Sequence, residues 1–218
     1  MKIALALYPG FTALDIIGPY QVLARLPGAE VVFCAERPGE VSDDHGLLHV
    51  RADHSFDDVP QPDVLVVGGG LIALSMATPD EPIVQWIRAA HPTTTWTTSV
   101  CTGSLLLGAA GVLEGLTANS HWMAKELLRE FGATPSDDRV VVQGKVVTAA
   151  GVAAGVDMAL TLAAELVGAD AAQAVQLNIE YDPQPPFDAG APWKAPQHVI
   201  DLVHASYAAG DATDAEAS

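Results

Sequence analysis

One stretch decides how the rest of this chain is interpreted: Thr95-Trp96-Thr97-Thr98-Ser99-Val100-Cys101-Thr102-Gly103-Ser104-Leu105-Leu106-Leu107. Its first half favours a strand, because Thr, Trp and Val suit a pleated, half-buried surface. From Leu105 to Ala110 the residues are apolar and include good helix formers. Almost no loop separates the two halves, so Cys101 stands at an abrupt turn from strand to helix. This predicts a cysteine nucleophile elbow, Ser-x-Cys-x-Gly in place of Gly-x-Ser-x-Gly.

Cys101 has two interpretations. The N-terminus of a helix carries roughly half a positive charge, and the N–H groups that follow the elbow point back toward the sulfur, which favours a thiolate. The alternative is a structural cysteine, because free cysteine is among the most buried residue types. The turn favours the nucleophile.

Length and composition limit the class of protein. The 218 residues, half of them hydrophobic, suffice for one large α/β domain with a substantial core. No apolar run is long enough to cross a bilayer, and the N-terminus lacks a signal-peptide cleavage pattern. Two cysteines without motif spacing favour a reducing compartment, here the cytoplasm. The net charge of −17 argues against nucleic acid and anionic membranes as partners.

The alternation of strands and helices predicts a doubly wound, mostly parallel sheet of the α/β class. Short apolar runs and one pair of runs joined by Gln143-Gly144 carry this prediction. Buried strands are predicted at residues 3–7, 30–35, 63–67 and 95–100, and a β-hairpin at 139–142 and 145–148. Cys34, in the second of these strands, has apolar neighbours and is predicted to lie in the core.

The first helix is predicted over residues 12–26, with Thr12 as its N-cap. Gly18 and Pro19 lie inside this pattern. Pro removes a helical hydrogen bond, so we expect a kink or a break there, which would leave Asp15 on a short, separately aimed turn.

Glycines follow another predicted strand. Gly68, Gly69 and Gly70 come directly after residues 63–67 and form a degenerate dinucleotide-binding pattern. We discount that use, because the glycines do not follow the first strand and no acidic residue ends the next one. The alternative is close approach of bare N–H groups to a ligand. Since this loop shares the carboxyl edge of the sheet with Cys101, Gly69 and Gly70 are predicted to form an oxyanion site.

Asp15 is predicted to lie at the same edge, just after the first strand. Two groups that would both be anionic share a proton when they are adjacent. If the helix end favours charge on the sulfur of Cys101, the proton remains on Asp15, which is then a general acid. The alternative is an ordinary acidic residue in the first turn of a helix, stabilised by the dipole.

The remaining segments suggest no further chemistry. His45, His49 and His54 alternate with acidic residues, but no metal-ligand spacing emerges, so we expect neither a metal nor a cofactor. Residues 181–196 are rich in Pro and predict an extended arm, of the kind that packs across a partner subunit or a domain surface. We expect a single domain over residues 1–208, without a second-domain linker, and a disordered tail at 209–218.

Together these motifs resemble the ThiJ/PfpI superfamily, flavodoxin-like proteins with a cysteine elbow and an acidic residue on the first helix. Within it, the chain is similar to the bacterial isocyanide hydratases (isonitrile hydratases). The resemblance covers nearly the whole chain to about Gly190, and its matching stretches are residues 14–19, 98–111, 121–122, 163–166 and 181–190. Thr102 stands where the protease-like and chaperone-like branches have His, and Gly68 stands where the family usually has Pro.

The resemblance implies hydration of an isocyanide to an N-substituted formamide by a cofactor-independent hydro-lyase. It implies Cys101 as the nucleophile, with a thioimidate intermediate, and Asp15 as the general acid and base. Thr102, Gly69 and Gly70 would orient the substrate or hold the water, and the protein would be a homodimer. His121 is interpreted as structural. The alternatives are a glyoxalase-like enzyme acting on carbonyl compounds and a cysteine-based sensor of oxidative stress.

Overall fold

The computed structural model describes the backbone of residues 1–216 and the side chains of residues 1–207. The chain divides into two units, residues 1–181 and 182–218. The strands, all in the first unit, are β1 (Lys2–Ala6), β2 (Glu30–Ala35), β3 (Gly39–Ser42), β4 (His49–Ala52), β5 (His54–Ser55), β6 (Val64–Val67), β7 (Trp96–Val100), β8 (Thr117–Ala118), β9 (Thr134–Pro135), β10 (Val140–Gln143) and β11 (Val146–Ala149).

The helices of the first unit alternate with these strands, and the second unit adds one more. They are α1 (Ala13–Leu23), α2 (Ala73–Met76), α3 (Pro82–Ala90), α4 (Gly103–Ala109), α5 (Ala154–Val167), α6 (Ala169–Asn178) and α7 (Gln197–Glu216), with 3₁₀ turns at His91–Thr93 and Lys125–Phe131. Within residues 1–216, no helix is both long enough and apolar enough to span a membrane.

The main sheet has the strand order β10-β11-β7-β6-β1-β2-β5. Its pairs are parallel, except that β10 runs antiparallel to β11. Strand β6 is buried throughout and β1 nearly so, as their continuous apolar runs require when helices cover both faces. The prediction of a doubly wound, mostly parallel α/β sheet is therefore confirmed. The parallel strands β1, β6, β7 and β11 end at the same edge.

Helix α1 differs from its prediction. It is one helix that includes Gly18 and Pro19, so the predicted break is wrong and Asp15 does not lie on a separate turn. The reason is tertiary packing against α5. A side chain at Gly155 would lie 3.2 Å from the Pro19 ring, and one at Gly18 would lie 3.1 Å from Val156. This close approach buries Gly18 and Pro19 and offsets the hydrogen bond that Pro cannot donate.

The second unit begins with an irregular segment. Residues 182–196 form neither helix nor strand, and α7 follows them. Lys194 forms an ion pair with Asp188 inside this irregular segment. The disorder predicted for the tail at 209–218 stays a prediction, since its side chains and residues 217–218 lie outside the described residues. The single domain predicted for residues 1–208 also stays a prediction.

Candidate active site

Cys101 occupies the turn between β7 and α4. It has a φ of 58°, in the left-handed region that residues other than Gly seldom adopt. Such strain costs on the order of 1–3 kcal/mol and persists only where the surroundings fix it. Here the Cys101 N–H donates to the carbonyl of Ala150 at 2.9 Å. The Cys101 carbonyl accepts from the hydroxyls of Ser104 and Ser120, each at 3.1 Å.

The glycine of the elbow has a steric role. A Cβ at Gly103 would lie 2.4 Å from the carbonyl oxygen of Val67 and 2.7 Å from that of Gly68. Helix α4 therefore begins directly against the end of β6, which only Gly permits. This contact sets the elbow of β7 beside the glycine loop that follows β6.

Asp15 lies on α1 beneath this loop, and its side chain has no exposed surface. Its Oδ2 accepts from the N–H of Gly69 at 2.7 Å. Its Oδ1 is buried without a hydrogen bond of standard geometry among the described residues. Burial raises the pKa of Asp15 from 3.8 to about 7, although Gly69 and the thiol of Cys101 both lower it. The carboxyl therefore holds its proton up to nearly neutral pH.

The protonation of the Cys101 sulfur depends on the same pair of residues, Asp15 and Cys101. Burial, and then the charge of Asp15, raise the pKa of the Cys101 thiol to about 12, while N–H groups of Thr102 and Val152 lower it. An ionised Asp15 therefore opposes ionisation of the Cys101 thiol, and a thiolate at Cys101 would oppose ionisation of Asp15. Between about pH 7 and pH 12 the pair holds one proton and one negative charge. These two values put the charge on Asp15 and the proton on the sulfur in that range, while the N–H groups of Thr102 and Val152 act in the opposite direction, toward a charge on the sulfur.

Gly69 and Gly70 hold the other site residues in place. The Gly69 N–H is engaged by Asp15, as above, and the Gly70 N–H donates to Thr102 Oγ1 at 2.9 Å. Thr102 Oγ1 donates in return to the Gly70 carbonyl at 2.8 Å. A Cβ at Gly69 would lie 2.5 Å from Thr102 Oγ1 and 3.0 Å from Asp15 Oδ2. Both N–H groups predicted to face an oxyanion are thus occupied inside the protein.

Sequence reasoning missed two groups at this edge. Val152 follows β11, and its N–H acts on the sulfur of Cys101. Tyr8 follows β1, and its buried hydroxyl donates to the Gly68 carbonyl at 2.8 Å. Burial, Asp15 and Cys101 raise the pKa of Tyr8 well above its ordinary range. The rule that parallel strands end at one edge could have indicated Tyr8. No residue pattern marks a backbone N–H such as that of Val152.

His121 and Cys34 lie outside this constellation. It is Ser120, the neighbour of His121, that contacts the Cys101 main chain. His121 is half-buried against Gly151, and burial lowers its pKa. Cys34 lies in β2 within the core, as its apolar neighbours predict. Among the described residues, no cluster of three or more His, Cys, Asp or Glu is arranged to hold a metal ion.

A parallel α/β sheet with a buried carboxyl beside a cysteine elbow defines a class of protein, and comparison with known families assigns it. The chain belongs to the DJ-1/PfpI family, whose model matches residues 1–165. The resemblance stated from the sequence motifs is thereby confirmed.

Similar proteins within and around this family include an isonitrile hydratase, a ThiJ/PfpI family protein and a deglycase. An isonitrile hydratase of Pseudomonas putida is 45% identical over 201 residues, which cover 92% of this chain and 87% of that protein. The crystal structure of a ThiJ/PfpI family protein from Pseudomonas syringae is 38% identical, has a TM-score of 0.88, and covers 93% of this chain and 84% of that one. The deglycase PfpI of Pyrococcus furiosus is 29% identical over 68% of this chain and 89% of its own length.

Proposed function

We propose that this protein is an isocyanide hydratase, which adds water to an isocyanide, R–N≡C, and releases an N-substituted formamide. The observation that carries the proposal is the buried pair of Asp15 and Cys101, which holds one proton between them at an elbow followed by Thr102. The isonitrile hydratase relative, similar along almost the whole of both chains, supports the same activity.

The chemistry requires a nucleophile and a proton donor at one carbon atom. The terminal carbon of an isocyanide accepts nucleophiles, so the sulfur of Cys101 forms a bond to it while Asp15 delivers its proton to that carbon. The product is a thioimidate, Cys101–S–CH=N–R. Asp15, now ionised, accepts a proton from water as the water oxygen adds to the same carbon. That proton passes to nitrogen. As the C–S bond breaks, Asp15 takes the remaining hydroxyl proton, and the formamide O=CH–NH–R leaves with the thiolate and the protonated Asp15 both restored.

The other site residues position this pair. Gly69 fixes the Asp15 carboxyl, and the reciprocal hydrogen bonds of Thr102 and Gly70 fix the loop beside the sulfur. The N–H groups of Thr102 and Val152 stabilise the thiolate at the start and at the end of the cycle. We therefore assign Gly69 and Gly70 to positioning, and the donors to the sulfur come from Thr102 and Val152.

Two alternatives use the same pair of residues. A carbonyl-handling enzyme is suggested by the deglycase relative. Against it, Thr102 follows the cysteine, where a His would supply a second acid or base. An oxidation sensor would also react at this sulfur, with peroxide as the oxidant. The buried proton donor beside the sulfur favours hydration, which consumes a proton at carbon.

The proposal includes a homodimer in the cytoplasm that uses no metal or cofactor and binds neither nucleic acid nor membranes. Large apolar side chains on the surface of the first unit are of the kind that a second copy would cover. They lie on α1 and on α2 with the turn before it, and are Leu14, Leu71, Ile72 and Leu74.

The test is formamide production from a simple alkyl or aryl isocyanide by the wild type and by Cys101→Ala. We expect turnover by the wild type, and a loss of at least about a thousandfold in the variant, because the covalent route is removed. A folded wild type that makes no formamide would contradict the proposal. In that case dicarbonyl turnover and peroxide modification of Cys101 separate the two alternatives.

A further inference from the structure

A second carboxylate approaches the site from the loop of the β3–β4 hairpin. Asp43, in that loop, accepts hydrogen bonds from the N–H groups of Leu47 and Leu48, each at 3.1 Å, which fixes the shape of the loop. The next residue, Asp44, donates its N–H to the carbonyl of Phe11 at 2.9 Å. The loop is thereby attached to the segment that leads into α1, and the exposed side chain of Asp44 lies over it.

A chain of hydrogen bonds runs from Asp44 to the carboxyl of Asp15. Thr12 Oγ1 donates to Asp44 Oδ2 at 2.8 Å. The Thr12 N–H donates to the Gly69 carbonyl at 2.8 Å, and the Gly69 N–H donates to Asp15 Oδ2 at 2.7 Å. Within Thr12 and within Gly69 the two bonds are made by different atoms, so the covalent framework of these two residues joins the three hydrogen bonds.

The Thr12 side chain bonds to Asp44 and does not cap helix α1. It stands at the N-cap position of α1, where a hydroxyl normally accepts from a free N–H of the first turn. Its side chain makes no such bond and is directed to Asp44 instead. The contact with Asp44 therefore replaces a helix cap.

We propose that Asp44 is a positioning residue of this active site, which holds the Asp15 carboxyl through Thr12 and Gly69. The inference rests on the proposed function, in which Asp15 is the general acid. Asp44 does not touch the reacting atoms. It acts through Asp15.

The charges around Asp15 agree with this assignment. Burial is the main cause of the raised pKa of Asp15 and of Tyr8, and the negative charge of Asp44 raises both a little further. The titratable groups on the elements packed around Asp15 are Tyr8 after β1, Cys101 on the elbow, Asp44 and His45 on the hairpin loop, and Asp157 on α5, which pairs with Arg139. Of these, Asp44 is the one joined to Asp15 through the chain described above.

Three variants separate the charge from the hydrogen bond. Asp44→Asn keeps an oxygen for the Thr12 hydroxyl and removes the charge. Thr12→Val removes the hydroxyl and keeps the charge. Asp57→Asn is the matched control, because Asp57 is an exposed carboxylate in the turn after β5 and takes no part in the chain. Asp44→Ser is a second way to remove the charge should Asp44→Asn fail to fold.

Two pH profiles are measured for each variant. One is the rate at which iodoacetamide alkylates Cys101, followed by mass spectrometry of the peptide that contains it. The other is kcat/KM for isocyanide hydration. If the charge left by the first proton moves to the sulfur, as the proposed function requires, we expect both rates of the wild type to rise near pH 7. Without the Asp44 charge that proton leaves more easily, so we expect both acidic limbs to move to lower pH by at least about 0.3 unit, and less at high salt.

Thr12→Val is expected to act differently. Loss of one positioning hydrogen bond lowers kcat about threefold to tenfold, with KM nearly unchanged and a smaller displacement of the limb. An Asp44→Asn limb that coincides with that of Asp57→Asn in the alkylation profile would overturn the inference. Alkylation needs no isocyanide, so a wild type that fails to hydrate isocyanides contradicts the proposed function while Asp44 is still tested.

Discussion

The two cysteines of this chain are both buried, but their hydrogen-bond partners, neighbouring charges and backbone conformations differ. Cys34 lies in β2, and its sulfur is 3.8 Å from one carbonyl oxygen, that of Leu5. Burial alone raises the pKa of Cys34 to about 12. Burial also raises the pKa of Cys101 to about 12, but there the neighbouring Asp15 carboxyl raises it further while two backbone N–H groups lower it. Burial by itself keeps a thiol protonated and unreactive, whereas a proton shared with a neighbouring carboxyl gives the thiol a route to ionise.

The backbone shows the same contrast. Cys34 continues a regular parallel strand that pairs on both sides, so its conformation costs nothing. Cys101 is held at a φ of 58° by hydrogen bonds to its N–H and its carbonyl. The chain thus stores strain at one cysteine and none at the other, which is typical of a reacting residue.

The largest expected effect comes from removing the acid that distinguishes Cys101 from Cys34. Asp15→Asn can still accept from Gly69, so the loop keeps its shape, but it has no proton to give. We expect kcat for isocyanide hydration to fall by about 10² to 10⁴. The measurement is steady-state formamide production at pH 7.5, and an unchanged kcat would exclude Asp15 as the general acid.

The same variant is expected to be more stable at alkaline pH. The pKa of Asp15 is about 7 in the folded protein and near 3.8 when it is unfolded, so between these values the folded state holds an extra proton. The stability contributed by this group therefore falls as pH rises from about 4 to 7, by up to about 4 kcal/mol. Urea unfolding of the wild type and of Asp15→Asn at pH 5 and pH 8 measures the difference. Equal pH slopes for the two proteins would contradict the raised pKa.

A smaller effect is expected when the loop that holds Asp15 is crowded. In Gly69→Ala the new Cβ must displace Thr102 or Asp15, which it would otherwise approach to between 2.5 and 3.0 Å. A misplacement of this size costs about 10²-fold in kcat. Gly190→Ala is the control, because its Cβ would meet no atom of the described residues within 4 Å. Equal activity of both variants would show that the loop does not position the pair.

The smallest effect is expected at the other cysteine. Cys34→Ala removes one buried sulfur and leaves the elbow untouched, so kcat stays within about twofold of the wild type. The free energy of unfolding falls by about 1 kcal/mol through the small cavity. Kinetics and thermal unfolding on the same sample measure both. A large loss of activity with a small loss of stability would mean that Cys34 also acts in the reaction.

The sequence predicted the sheet and the elbow because both depend on local patterns. Residues 95–107 contain the strand, the turn and the helix in one uninterrupted run, so no tertiary contact is needed to find Cys101. Gly18 and Pro19 misled the prediction of α1, because their effect depends on the small residues of α5 that pack against them. Val152 and Asp44 could not be found, since a backbone N–H and a loop carboxylate acquire their roles only from the folded path of the chain.

The central claim is that Cys101, and not Cys34, bonds to the isocyanide carbon during turnover. The most direct measurement is an acid quench of the working enzyme, followed by peptide mass spectrometry of both cysteines. Because the isocyanide adds without a leaving group, the peptide containing Cys101 should gain the mass of one intact substrate molecule, and the peptide containing Cys34 should gain nothing. Sustained formamide production with Cys101 unmodified at every quench time, together with full activity of Cys101→Ala, would contradict the account.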